Sequence, residues 1–288
     1  MLQGFDKLID QGKFIQSKAN YYESKAVLVG VPMDFTVSFR PGTRMAPRKI
    51  REASYGLEEF SPYCNDSLAD KSYYDAGDLD IPFGNVKKSL EIIEQAASVI
   101  LKDGKIPVFI GGEHLITYPI VRQVAQKYPE LKVLHFDAHA DLRDTFFGEK
   151  LSHATVMRRV CECIREKHLF QFGIRSGVKE EFDFADQYTY MNLIDVKEPF
   201  LDSLKELRGY PIYITMDIDV VDPAFAPGTG TPEPGGCSSR EILEVISYFR
   251  ELNIVGFDLV EVSPINDLSE RTSLLAAKII REVLLTIC

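Results

Sequence analysis

Three stretches of this chain end apolar runs in side chains that bind cations. The first is Lys132-Val-Leu-His-Phe-Asp-Ala-His-Ala-Asp141, where Asp137, His139 and Asp141 alternate with Ala138 and Ala140. In extended chain, residues two apart point to the same side. Two carboxylates and an imidazole would then share one face at the end of a buried strand. Unpaired carboxylates buried there would cost on the order of several kcal/mol each, so the spacing asks for something cationic. A second run, Pro211-Ile-Tyr-Ile-Thr-Met-Asp-Ile-Asp219, ends in Asp217 and Asp219. A third, Val108-Phe-Ile-Gly-Gly-Glu-His114, supplies His114 where a strand breaks at paired glycines. Four Asp and two His are too oxygen-rich for a closed structural Zn²⁺ site. They suit a pair of Mn²⁺ ions better, and six ligands exceed what one ion with an open position would use. Two acids in one strand could instead cap neighbouring helices, and His114 alone could be an ordinary loop histidine. The D-x-H-x-D run is what separates these readings.

The elements that position these groups alternate. Ala26–Val31 reads as a first buried strand, and Pro47 opens a helix at a position where its missing N–H does no harm. A weak strand follows near 73–80. Asn85 caps a helix to Asp103 with Leu90, Ile93, Ala97 and Ile100 on one stripe, and Gly104 ends it. The strand 106–110 and a helix over 115–127 precede the central strand. Ser152 caps a helix through Glu166. Strands near 169–174 and 188–191 come next, with a short helix between them and another over 200–207. The Pro/Gly-rich run 222–236 reads as an ordered loop walling the site, since a capped helix from Ser238, a strand over 254–262 and a closing helix over 267–285 continue the alternation. The pattern predicts right-handed crossovers in a three-layer α/β/α fold with a mainly parallel sheet of about eight strands. One domain over 1–288 is expected. Residues 1–24 form an arm that packs either on the core or on a neighbouring subunit.

The net charge of −10 over 288 residues excludes a basic nucleic-acid surface and weakly favours a cationic small substrate. Five scattered cysteines without a C-x-x-C pair read as free thiols of a reducing cytoplasm. The first 25 residues lack the apolar core of a signal peptide, and no apolar run reaches the roughly 18 residues of a membrane span.

Gly111-Gly-Glu-His114, Asp137-Ala-His-Ala-Asp141, Ser152-His-Ala154 and Asp217-Ile-Asp-Val-Val-Asp-Pro223 resemble the signature blocks of the ureohydrolases, the arginase and agmatinase family. Gly228-Thr-Gly-Thr-Pro-Glu-Pro-Gly-Gly236 and Glu261-Val-Ser-Pro264 fit the same pattern, and the blocks run in family order from about residue 25 to the end. The resemblance implies an arginase-like fold and two Mn²⁺ per subunit that add hydroxide to a guanidinium carbon and release urea. It implies that His114, Asp137, Asp141 and Asp217 hold one ion, and that His139, Asp137, Asp217 and Asp219 hold the other. Asp137 and Asp217 would then bridge. It further implies that Asp141 orients the nucleophile, that His153 shuttles a proton and that Glu261 pairs with the guanidinium. It also implies a homo-oligomer, trimeric or hexameric.

Independent chemistry agrees in part. A carboxylate meets a planar guanidinium bidentately, and histidine is the side chain best poised to protonate a leaving amine near neutrality. Glu261 as a capping residue and His153 as a structural first-turn residue are the competing readings. His135 shares the metal face by parity but lies deeper in the strand and reads as structural. Arginase-like members carry an Asn where this chain has Arg143, which weakens that assignment. Glu233 in its Pro-Glu-Pro setting and the block Ser152-His-Ala-Thr155 look agmatinase-like. Glu233, Asp144 or Glu149 could face a distal amine, whereas Arg143 could clamp a carboxylate such as that of guanidinobutyrate. The expected reaction is hydrolysis of agmatine to putrescine and urea.

Overall fold

Why the acids of separate strands end up together follows from how those strands are ordered. The structure is a computed structural model that describes residues 12–18 and 20–288. Strand β1 (Ala26–Gly30) leads to helix α1 (Ala46–Ser54), a two-strand hairpin of β2 (Phe60–Ser61) and β3 (Asp66–Ser67), and β4 (Tyr73–Asp78). Then follow α2 (Val86–Lys102), β5 (Ile106–Ile110), α3 (Thr117–Lys127), β6 (Lys132–Phe136), α4 (Val156–Cys161), β7 (Leu169–Ile174) and α5 (Lys179–Tyr188). The chain continues with β8 (Tyr190–Leu193), α6 (Lys197–Leu207), β9 (Pro211–Asp217), α7 (Ser239–Ser247), β10 (Asn253–Val260) and α8 (Arg271–Ile287). Eight strands join one sheet in the order β4-β1-β5-β10-β9-β6-β7-β8. Every pairing in it is parallel. The eight-strand parallel sheet that the alternation predicts is therefore present.

Strand parity sorts the core into two layers. Leu28, Val108, Leu134 and Ile214 face a cluster that includes residues of α1, α6, α7 and α8. Val27, Phe109, Val133 and Tyr213 face the cluster of α2, α3, α4 and α5. Each fully buried Val, Leu or Ile stabilises the fold by roughly 1.5–3 kcal/mol relative to exposure. Helix α2 shows the local logic. The Asn85 side chain accepts the Lys88 N–H at 3.1 Å, and Leu90, Ile93, Ala97 and Ile100 are buried. Gly104, at φ +73°, lets the Lys105 N–H return to the Ile100 carbonyl at 3.1 Å and close the helix.

Several expectations need correction. The alternation over 137–141 and 217–219 is not extended strand. β6 ends at Phe136, β9 ends at Asp217, and residues 218–220 form a 3₁₀ turn. Asp137 Oδ1 accepts the His139 N–H at 2.5 Å, and Asp217 Oδ1 accepts the Asp219 N–H at 2.8 Å. Each aspartate thus caps the turn that ends its own strand. The helix expected from Ser152 to Glu166 is a 3₁₀ turn, His153–Thr155, followed by α4, which stops at Cys161. Beyond it the Cys163 N–H tightens onto the Val160 carbonyl and Lys167 adopts φ 60°, turning the chain back into β7. The last helix begins at Arg271 rather than 267, because Asp267 stays outside it and accepts the Thr272 N–H. Strand β8 begins two residues later than expected and α6 three residues earlier. The hairpin β2–β3 was not foreseen; two-residue strands carry no periodicity. Of the N-terminal arm, residues 1–11 lie outside the described residues, while Phe14 is buried in the core of its own chain.

Candidate metal centre

β5, β10, β9 and β6 lie side by side in the middle of the sheet, and the chain leaving each of them delivers a polar group to the same place. His114 stands in the turn after β5, Glu261 directly after β10, Asp217 and Asp219 at the end of β9, and Asp137, His139 and Asp141 after β6. Nδ1 of His114 is 3.1 Å from Asp137, 3.3 Å from Asp141 and 3.4 Å from Asp217. His139 Nδ1 is 3.0 Å from Asp219 and 3.5 Å from Asp137. All six residues expected at the site are brought together.

The surroundings decide which atoms face inward. His114 Nε2 lies 2.9 Å from the Thr215 hydroxyl, which donates to Asp258 at 2.6 Å. Tyr213 and Thr117 also donate to Asp258. With the Thr215 hydrogen committed to Asp258, its oxygen accepts from His114 Nε2–H. Nδ1 is the nitrogen left facing three carboxylates. On the other side, Gln171 donates to His135 Nδ1 at 3.0 Å, leaving His135 Nε2–H to donate to Asp137 at 2.7 Å. Both His135 nitrogens are therefore engaged behind the cluster. Thr215, Asp258 and Gln171 escaped the reading of the sequence, although Asp258 inside the otherwise apolar β10 was a visible signal.

Two buried polar atoms of the cluster, His114 Nδ1 and Asp219 Oδ2, have no well-aligned hydrogen bond among the described residues, although charged groups lie within 3.1 Å of each. A buried group without a partner costs on the order of 1–3 kcal/mol. One lies on each side of Asp137, which is where two cations would satisfy them. The donor set fits divalent ions, with hard carboxylate oxygens and one imidazole on each side. The same two sides emerge as the compact groups of His114, His135, Asp137 and Asp141 and of Asp137, His139 and Asp219.

Without a cation the electrostatics are conflicted. Burial, together with the Asp137 charge, pushes the Asp141 carboxyl up to about 7. Burial and then Asp219 and Asp137 raise Asp217 well above the usual range. Burial opposes ionisation of Asp137 as well, yet His135, His114 and His139 hold it well below the ordinary value. Burial disfavours the charged form of His139, but Asp219 and Asp137 overcome it and raise that imidazole to about 12.

Two members sit in strained backbone. Asp141 has φ 54° and Glu261 φ 62°, a region that costs a non-glycine residue roughly 1–2 kcal/mol. The Asp141 carbonyl accepts the Met157 and Arg158 N–H groups at the start of α4, and the next N–H, of Leu142, donates to Glu181 at 2.8 Å. The Glu261 N–H donates to the Gly112 carbonyl at 2.9 Å. Its side-chain Oε1 accepts the His114 N–H at 2.8 Å, leaving Oε2 near Gly230. Burial pushes the Glu261 carboxyl up to about 8.

A cleft of about 200 Å³ opens over the cluster. His153, Ser38, Phe146, Arg143, Glu181, Thr231 and Glu261 line it with the metal-facing residues. His153 stands on the wall with Phe146 edge-on at 5.6 Å. Burial, reinforced by His139 and His114, lowers its imidazole to about 4 and keeps it neutral. Arg143 lies over Phe146, with Nε 3.7 Å from the buried Glu181. Glu233 is not among the lining residues; its carbonyl accepts from Arg175. Asp144 pairs with Arg159, away from the cleft. Glu149 is exposed and does not line it either.

The model of the arginase family matches residues 24–286. The chain belongs to the arginase family. Among arginase-family relatives, it is 50% identical to an agmatinase of Halalkalibacterium halodurans over 98% of both chains. It is 48% identical to an agmatinase of Bacillus subtilis, again over 98% of both. The solved agmatine ureohydrolase of Thermoplasma volcanium superposes with a TM-score of 0.89 at 33% identity, covering 99% of this chain and 97% of that one. Arginase-family membership makes the protein a hydrolase and agrees with a His/Asp cluster that can hold metal. No helix among the described residues is long and apolar enough to cross a membrane.

Proposed function

We propose that this chain hydrolyses agmatine to putrescine and urea in a cleft floored by two Mn²⁺ ions. The observation that carries the reading is the pair of orphaned buried atoms, His114 Nδ1 and Asp219 Oδ2, flanking Asp137 beneath that cleft. In this reading His114, Asp137, Asp141 and Asp217 would hold one ion, and His139, Asp137, Asp217 and Asp219 would hold the other. A bound pair of divalent cations acidifies water and so supplies a nucleophile near neutral pH. Asp141, fixed through Leu142 and α4, orients that nucleophile. Glu261 receives the guanidinium on Oε2, because Oε1 is already taken by the His114 N–H. The arriving cation favours the ionised carboxylate that burial alone disfavours. His153, neutral and with the Ser38 and Ser152 hydroxyls at its two ring nitrogens, would take the proton shed by the attacking water and hand it to the amine as its C–N bond breaks.

The agmatine assignment draws on the named activities of relatives that match 98–99% of the chain. A second reading, a guanidino acid, is favoured by Arg143 on the cleft wall, where a carboxylate could be clamped; Glu181 beside it offsets that charge. We also read the chain as one domain that assembles into a cytoplasmic trimer or hexamer. The test is urea release from agmatine, arginine and 4-guanidinobutyrate by the Mn²⁺-loaded protein, with metal analysis and light scattering on the same sample. Turnover of agmatine well above the others is expected; turnover of guanidinobutyrate alone would overturn the assignment.

A further inference from the structure

Thr36 lies on the loop that leaves β1, 117 residues from His153. Its hydroxyl makes two bonds. It donates to Glu113 Oε2 at 2.9 Å and accepts the backbone N–H of His153 at 3.0 Å. The Thr36 N–H donates to the same Glu113 oxygen at 2.7 Å. Glu113 is fully buried, so this anchor is shielded from water and holds the hydroxyl hydrogen in one direction. The oxygen lone pair is then what remains for His153. The recipient is also one that needs a partner: His153 is the first residue of its turn, where no helical carbonyl can satisfy the N–H. Two residues along the same loop, Ser38 Oγ lies 3.2 Å from His153 Nε2. One loop therefore touches both the backbone and the ring tip of the histidine.

We propose that Thr36 is a positioning residue for His153, set by the buried Glu113 and fixing the height of the imidazole over the cleft floor. The inference rests on His153 carrying the proton in the proposed reaction. A displacement of about 1 Å in such a group can cost 100-fold in rate, so a single lost hydroxyl is enough to be read. Thr36→Val keeps the shape and removes the hydroxyl; Thr36→Ala is read the same way should the valine not fold; Thr36→Ser keeps the hydroxyl. With the substrate that the panel identifies, the hydroxyl-free variants are expected to lose roughly 10- to 100-fold in kcat with KM within about twofold. Metal content should stay at the parent value, the thermal midpoint should fall by a few degrees because Glu113 and the His153 N–H lose a partner, and Thr36→Ser should recover kcat to within a few fold. In a His153→Ala background the Thr36→Val change should have no further effect on kcat. Parent kcat in the hydroxyl-free variants, or an undiminished further loss in the His153→Ala background, overturns the role of Thr36. Parent kcat in His153→Ala alone overturns instead the reading of His153, and the two failures are thereby told apart.

Discussion

Asp219 shows how far single residues can be read. Its carboxylate has one oxygen on the Ala138 N–H at 3.1 Å and the other buried 3.0 Å from His139 Nδ1 without a well-aligned hydrogen bond. Removing it should empty one side of the cluster and leave the other. Asp219→Ala is expected to bind one Mn²⁺ per chain instead of two and to lose more than about 100-fold in kcat, beyond the usual effect of an outer-sphere change. Metal analysis by mass spectrometry after desalting checks the count; two retained ions would remove Asp219 from the set. The sequence displayed this residue, as it displayed Asp137, His139, Asp141 and His114, because acids ending apolar runs stand out against their neighbours. It hid Thr36, Glu113, Thr215 and Gln171. Those are ordinary polar residues whose meaning lies in partners many positions away.

Among the elements, the turn that follows β5 is the tightest. Gly112 gives its carbonyl to the Glu261 N–H and its own N–H to Val31. A Cβ there would fall 1.8 Å from the Met33 carbonyl oxygen. The atoms it would meet are all Met33 backbone and cannot yield as a side chain could, so Gly112→Ala should cost at least about 1–3 kcal/mol, read as a lower urea midpoint with an unchanged slope. Gly104→Ala, strained by φ +73° but uncrowded, should cost about 1 kcal/mol. Equal costs at both positions would contradict the close-approach argument. Helices and strands were legible because caps and periodicity are local. The 137–141 and 217–219 segments were misread as strand because Asx turns and alternating strands place residues two apart in similar ways.

At the scale of the molecule, the cluster couples stability to pH and to metal. In the metal-free protein Asp141 is raised to about 7, Glu261 to about 8 and Asp217 well above the normal carboxyl range. Groups that hold protons more tightly when folded contribute stability below their unfolded pKa, near 4, and lose it as pH rises through the folded value. The chelated protein should therefore melt at a lower temperature at pH 8.5 than at pH 6. Metal binding needs the same groups deprotonated, so the rise in thermal midpoint on adding Mn²⁺ should be larger at pH 8.5. An equal rise at both pH values would show that the carboxylates do not titrate as the buried cluster requires.

The sheet order also governs when the protein first becomes competent during its synthesis. All six candidate ligands have been translated once residue 219 is made, yet β10, residues 253–260, lies between the strand that carries His114 and the strands that carry the aspartates. Until that late segment leaves the ribosome and slots into the gap, β5 and β9 have no strand between them to hold them in register. An unfinished polypeptide thus owns every candidate ligand atom before the sheet that aligns them is continuous.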